Sequence, residues 1–339
     1  MQNVRPAPGF DPAFLRVAAG VVINAAGEVL VALRAAHRHQ GGLWEFPGGK
    51  IESGESILTA LTRELWEELG IRVQQARPLL RIPYRYPDRA VLLEVWRVTR
   101  YIGTPFGREG QVWRWVAPEA LSTLTFPEAN LPIVTALRLP SLYLVTAPAP
   151  PQDFLFRLEQ ALEAEARLIQ LRLPGLTEAQ YVALAEPAMA TCRRAGAQLL
   201  LNCSPALASR LGADGIHLAA SQLTTLTSRP LSRQHWVAAS CHNAEELNAA
   251  HRIGADFAVL SPVLPTTTHP EAHPLGWETF ESLATNAGIP IYALGGMTPA
   301  HLPLSYAHGA QGLAVLGAIW KAPDIAAAIR ACHLVKSDH

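Results

Sequence analysis

The sequence predicts an α/β protein of two domains, the second a small (β/α)8 barrel, and three observations carry that prediction. The chain has 339 residues, 49 % hydrophobic and 17 % charged, which is enough apolar material for two cores. Near residue 140 the apolar pattern changes, from strands grouped around one amphipathic helix to a regular alternation of short strand-like runs with helical segments. Eight such runs follow, and eight strands alternating with helices close a barrel more readily than they form an open sheet.

Composition excludes several classes of function. Formal net charge is zero and no Lys/Arg run exceeds a pair, so no duplex nucleic acid or membrane surface is expected as a partner. The four cysteines, Cys192, Cys203, Cys241 and Cys332, are spread widely and form no C-x-x-C pair, as in a reducing compartment. Residues 1–14, "MQNVRPAPGFDPAF", carry no basic region followed by a long apolar run, and no segment approaches the roughly 18 apolar residues of a membrane span. A cytoplasmic protein is expected, with residues 1–14 as an N-terminal extension.

In the first domain, residues 15–138, "RVAAGVVIN" and "EVLVALR" read as strands. A long loop and one helix follow, then strands in "AVLLEVWRV" and "QVWRWV" and a closing helix in "ANLPIVTALRL". The middle helix contains "TRELWEELG", where Leu58, Leu61, Leu65 and Leu69 recur at helical spacing and predict one buried face. Glu64, Glu67 and Glu68 then crowd together beside it. Like charges at these spacings cost roughly 0.2–0.5 kcal/mol per pair. They also sit at the end that Gly70 stops, where the helix dipole favours cations. An acidic pair alone would mean only a solvated helix face, but three carboxylates suit Mg²⁺ or Mn²⁺, which prefer hard oxygen ligands.

The wider spacing identifies the motif. From Gly49 the chain reads five residues, Glu55, seven residues, Arg63-Glu64-Leu65, one residue, Glu67-Glu68, one residue, Gly70-Ile71. It matches every fixed position of the Nudix box, so this domain resembles the Nudix hydrolases of nucleoside diphosphate derivatives. The resemblance implies an α/β/α sandwich with a mixed sheet and Mg²⁺ or Mn²⁺ held by Glu64, Glu67, Glu68 and the Gly48 carbonyl. Gly49, Glu55 and Arg63 are expected to structure the loop, Arg63 and Glu55 as a pair. Bound metal would polarise phosphoryl oxygens and acidify a water.

Within that family the chain is similar to the MutT type, the 8-oxo-dGTP diphosphatases. The similarity rests on "LRAAH", "LWEFPGGKIESGE", "YPDR", "GREGQ" and "FPEAN", in that order. It implies a further metal-site acid at Glu109, base recognition by the Asn130 amide, an apolar wall at Phe46, and nucleotide contacts from Arg34 and Arg89. The implied reaction converts 8-oxo-dGTP and water to 8-oxo-dGMP and diphosphate through attack at the β-phosphorus, cleansing the nucleotide pool. Either Glu64 or Glu109 could deprotonate the water, and spacing does not choose between them.

The barrel strands, within residues 139–335, are "SLYLVTA", "RLIQLRL", "QLLLNC", "GIHLA", "WVAASC", "FAVLSPV", "PIYALGG" and "GLAVLGA". Gly196, Gly212, Gly254 and Gly309, each followed by Ala, mark expected helix ends, and the Pro-rich "TAPAPPQD" reads as a βα loop. "QLRL", "GADGIHLA", "SCHNAEEL", "GADFAVLSPVLPTTTH" and "ALGGM" resemble thiamine phosphate synthase and its relative TenI, a thiazole tautomerase. The resemblance implies a TIM barrel.

Key positions depart from both patterns. Gln170 and Arg172 stand, but Pro174 replaces the synthase lysine, Cys203 and Gln222 occupy two metal-carboxylate positions, and His269 closes "PTTTH". Pro262 stands at the tautomerase histidine position, and His242 occupies a position that both relatives share. Without the carboxylates, Mg²⁺ binding should be weak and the barrel catalytically degenerate. Gly295, Gly296 and Gly317 form a candidate phosphate site, implying a phosphorylated ligand. His269 and His273 lack the further ligands of a metal site and read as loop. Two alternatives remain open, a bifunctional enzyme that also makes thiamine phosphate and a barrel that senses a phosphorylated ligand or a partner.

Overall fold

The computed structural model describes residues 14–36, 39–266 and 271–334. The described residues divide into two compact units, 14–76 with 81–131, and 77–80 with 132–334. No helix among them is long and apolar enough to cross a membrane.

In the first unit, β1 (Phe14–Val22), β2 (Val29–Leu33), β3 (Trp44–Glu45) and β4 (Gly48–Lys50) precede helix α1 (Ile57–Leu69). Then come β5 (Arg72–Arg85), β6 (Ala90–Ile102) and β7 (Trp113–Val116). A mixed sheet runs β4-β1-β6-β5, with β1 parallel to β6 and antiparallel to β4. A second, antiparallel sheet runs β3-β2-β7. The end of β1 is continuously buried from Ala18 to Val22, as a central strand covered on both faces must be.

Helix α1 starts where Ser56 Oγ accepts the Thr59 N–H and stops at Gly70, whose φ of 68° is left-handed. Its buried face is Ala60, Leu61, Leu65 and Leu69, packed with Ala18, Val22, Leu30 and Val98. Leu58 is a correction to the expected stripe, because it is 44 % exposed. It lies in the first turn, and helical side chains lean toward the N-terminus, so this one points past the packed segment.

The electrostatic problem at the end of α1 is answered by a distant loop. Phe106 N–H donates to Leu69 O (3.0 Å), Arg108 N–H to Glu68 O (3.0 Å), and Gln111 Nε2 to Glu68 O (2.8 Å). Arg108 Nη1 donates to Trp66 O (2.9 Å) and its guanidinium lies over the Trp66 ring. These groups satisfy carbonyls that a helix end leaves open and bring the missing cation.

The second unit contains nearly all of helix α2 (Leu131–Arg138) and a closed parallel barrel. Its strands are β8 (Leu142–Val145), β9 (Leu168–Leu171), β10 (Gln198–Leu201), β11 (Gly215–Leu218), β12 (Trp236–Cys241), β13 (Phe257–Leu260), β14 (Ile291–Ala293) and β15 (Gly312–Val315). Strand β15 closes on β8. Tyr143 and Val145 face the interior with Leu168, Phe257 and Tyr292, while Leu142 and Leu144 face the helices, the alternation a pleated strand requires. All four glycines of the Gly-Ala pairs have positive φ. Residues 146–150 of the Pro-rich segment form the turn from β8 into the helix Pro151–Glu163.

Candidate active site

Strand β4 and helix α1 build the first cleft, because the two glycines of "FPGGK" let backbone approach the helix. Gly48 N–H donates to Glu68 Oε2 at 3.1 Å. A Cβ at Gly49 would lie 2.3 Å from the Glu64 carboxyl carbon, so only glycine leaves that carboxylate in place. Gly48, Gly49, Glu64, Glu68 and Glu109 line one cavity of about 610 Å³. Glu67 is not on its wall, being on the exposed flank of the same turn, 3.3 Å from Arg63 Nη1.

Arg63 ties the loop to the helix. It donates from Nε and Nη2 to the two Glu55 oxygens (2.9 and 3.0 Å), from Nη2 to Lys50 O (3.1 Å) and from Nη1 to Glu64 Oε1 (2.8 Å). Its hydrogen bonds, helped by the Glu52 backbone N–H, hold the Glu55 carboxyl down at about 2.

Glu68 is shifted the other way, up to about 8, first by burial and then by the charge of Glu45, with Glu64 and Glu109 adding to it against the Gly48 hydrogen bond. Among the described residues no three His, Cys, Asp or Glu side chains are drawn tightly enough together to hold an ion as they stand. Glu64 is turned to Arg63 and Glu68 to Gly48, as mutually repelling carboxylates arrange themselves. The donor set nevertheless fits a hard divalent cation. It consists of oxygens, and the buried Glu68 carboxylate, whose ionisation burial and three neighbouring acids oppose against a single backbone hydrogen bond, is the kind of group that a cation would stabilise.

The same cleft is lined by Arg34, Phe46, Arg89 and Asn130. Phe46 is 3 % exposed and stacks on Phe126 at 5.4 Å. Arg89 is engaged by Asp88 at 2.9 Å, and Arg34 by the Glu45 carboxylate and the His39 carbonyl. Asn130 is half-buried, just before α2. Sequence reasoning missed Glu45, His39 and Tyr86 on the wall. Glu45 belongs to "LWEFPGGK", but nothing local showed that it faces an arginine just past the end of β2.

A second cavity, of about 1020 Å³, opens at the barrel and is lined by Gln170, Arg172, Asn202, Ser240, His242, Gly295, Gly296 and Gly317, among others. Behind the wall residue Ser240, the buried His217 meets Tyr143 Oη through Nδ1 (2.9 Å) and Ser240 Oγ through Nε2 (2.8 Å). Burial holds the imidazole down at about 3, hence neutral. Gln222 does not face the cavity as a ligand would. Its Oε1 accepts the Ala219 N–H (2.7 Å) and its Nε2 donates to Cys203 O (3.1 Å). Burial raises the Cys203 thiol to about 11. A protonated thiol and a committed amide do not make a Mg²⁺ site. His242 is bonded to Glu246 at 2.8 Å, His273 is exposed, and His269 lies outside the described residues.

The NUDIX domain family matches residues 18–136 and the thiamine monophosphate synthase family matches residues 142–319. The first region is 40 % identical over 124 residues to the 8-oxo-dGTP diphosphatase of Escherichia coli, covering 37 % of this chain and 96 % of that protein. It is 38 % identical over 127 residues to the 8-oxo-dGTP diphosphatase of Haemophilus influenzae, covering 38 % of this chain and 93 % of that one. The second region is 33 % identical over 180 residues to the thiamine-phosphate synthase of Laribacter hongkongensis, covering 52 % of this chain and 85 % of that one.

Proposed function

Since the chain belongs to the Nudix family through residues 18–136 and to the thiamine monophosphate synthase family through residues 142–319, we propose that its first domain hydrolyses 8-oxo-dGTP to 8-oxo-dGMP and diphosphate. The observation that carries the reading is the meeting, in one cleft, of Glu64, Glu68 and Glu109 with Phe46 and Asn130. Phosphate chemistry and base recognition thereby share a single space. The biological role is removal of an oxidised nucleotide before it causes mutation.

Gly48 O, Glu64, Glu68 and Glu109 would hold Mg²⁺ or Mn²⁺, Glu67 joining them only by turning in from the exposed flank, and the ion would supply charge neutralisation at the phosphates and a more acidic water. Phe46 packs the purine face. Asn130, able to donate and accept together, reads the edge that oxidation changes. Arg63 holds Glu55 and the loop backbone, so the glycines keep their approach to the helix. Glu64 or Glu109 accepts the proton of the attacking water.

The test is kcat/KM for 8-oxo-dGTP and dGTP with Mg²⁺, within a panel of triphosphates, diphosphates and dinucleotides. A strong preference for 8-oxo-dGTP is expected. Equal values would remove the cleansing role while leaving a Nudix hydrolase.

For the barrel, the commitment of Gln222 to backbone favours a degenerate site that binds a phosphorylated ligand without metal-assisted catalysis. Thiamine phosphate formation by the unmodified chain would restore the bifunctional reading. A barrel that bound no thiazole, pyrimidine or thiamine phosphate would lose the ligand role as well.

A further inference from the structure

We propose that Glu45 is a positioning residue that presents Arg34 to the polyphosphate of the substrate, an inference that rests on the nucleotide-hydrolase reading of the cleft. The two residues are brought together by pairing of β2 with β3, in which Ala32 lies opposite Glu45 and Leu33 opposite Trp44. Arg34 follows directly, its backbone fixed by Arg34 N–H to Leu43 O (2.9 Å) and Gly42 N–H to Arg34 O (3.0 Å).

The guanidinium is then gripped at two points, Nη1 by the Glu45 carboxylate and Nε by His39 O at 2.9 Å. Both side chains line the cleft and both are mostly covered, at 26 % and 19 % exposed. A guanidinium has five N–H donors, so this grip leaves donors over for an anion while removing the freedom of a long side chain. An arginine fixed in advance loses less entropy on binding than one that must be ordered by the ligand.

Charge alone predicts the reverse effect. Glu45 is an acid in a cleft that receives a polyanion, and it lies near enough to Glu68 to oppose ionisation there. On electrostatics alone, Glu45→Gln should tighten polyphosphate binding. If positioning dominates, the same substitution weakens it.

The experiment uses the full chain, Glu45→Gln, Arg34→Ala and the double variant. Calorimetry measures binding of inorganic triphosphate with Ca²⁺, and steady-state kinetics follow 8-oxo-dGTP with Mg²⁺. Glu45→Gln and Arg34→Ala should each weaken triphosphate binding about tenfold, the scale of one charge-assisted contact. The double variant should bind no more weakly than Arg34→Ala, because both lesions remove the same presented fork. KM should rise while kcat stays within about twofold and the Mg²⁺ half-saturation point stays put, as for loss of uniform binding.

Unchanged or tighter binding in Glu45→Gln, additive losses, or absence of triphosphate binding overturns the assignment. A fall in kcat with a shifted Mg²⁺ requirement also overturns it and makes Glu45 a metal-facing acid. The expected binding pattern in a chain that turns over no nucleotide would sink the hydrolase reading and leave the Arg34–Glu45 pair standing.

Discussion

A methyl group placed on Gly49 would stand 2.3 Å from the carboxyl carbon of Glu64, far inside van der Waals contact. The obstructed atoms are the end of a flexible side chain, so Gly49→Ala should fold. The Glu64 carboxylate, however, must move, and a misplacement near 1 Å at a reacting centre costs on the order of 100-fold. A kcat loss of about that size, with an unchanged circular dichroism spectrum, is the expected result; full activity would remove Glu64 from the metal site.

Glu68 ties stability to pH in the direction opposite to an ordinary salt-bridged acid. Its folded pKa of about 8 lies above the normal carboxylate range, so the folded chain binds the extra proton between about 4.5 and about 8. Its contribution is therefore full below that window and is lost as pH rises through it. In EDTA, denaturant midpoints should fall from pH 5 to pH 8.5. Glu68→Gln should flatten that slope and abolish turnover without lowering stability at pH 7. Retained turnover would take Glu68 out of the metal site.

Arg63→Lys tests the fork beneath the loop. Lysine carries one ammonium and cannot span both Glu55 oxygens, Lys50 O and Glu64 together. Activity should fall by about tenfold or more as the loop loses its register. Glu55, held down at about 2, contributes stability above the usual carboxylate pKa that is lost as pH falls toward 2. Acid unfolding of Arg63→Lys should thus begin at higher pH than in the parent, as followed by tryptophan fluorescence.

In the barrel the same accounting applies to His217. Its folded pKa, lowered to about 3, lies below the unfolded value near 6.5, so the unfolded chain takes up the proton first. Barrel stability should fall as pH drops from 6.5 toward 3. His217→Gln should lower stability at pH 7, by breaking the contacts to Tyr143 and Ser240, yet be less pH-dependent across that window. Denaturant titrations at pH 4.5 and 7 provide the check.

What could be read early was local or periodic. The eight barrel strands occur where short apolar runs alternate with helical segments, and the stop and acidic content of α1 follow from Gly70 and the box. Leu58 escaped the pattern because periodicity fixes the angle around a helix but not how far its packed surface extends. Arg108 and Gln111 escaped because they cap α1 from about forty residues away. Their side chains carry no mark of that partnership.

By itself the sequence determined the two families and the order of the elements, since residue type and spacing decide which atoms are available and which faces are apolar. It also shows Cys203 and Gln222 at the two positions where the resemblance to thiamine phosphate synthase implies metal carboxylates. Only the tertiary structure decided that Gln222 is committed to the backbone of Ala219 and Cys203, that Glu67 lies off the cleft wall that Glu64 and Glu68 share, and that Arg34 is gripped by Glu45. Each of these depends on distance and burial between segments remote in the chain, and those arise only when strand pairing and helix packing fix where side chains meet.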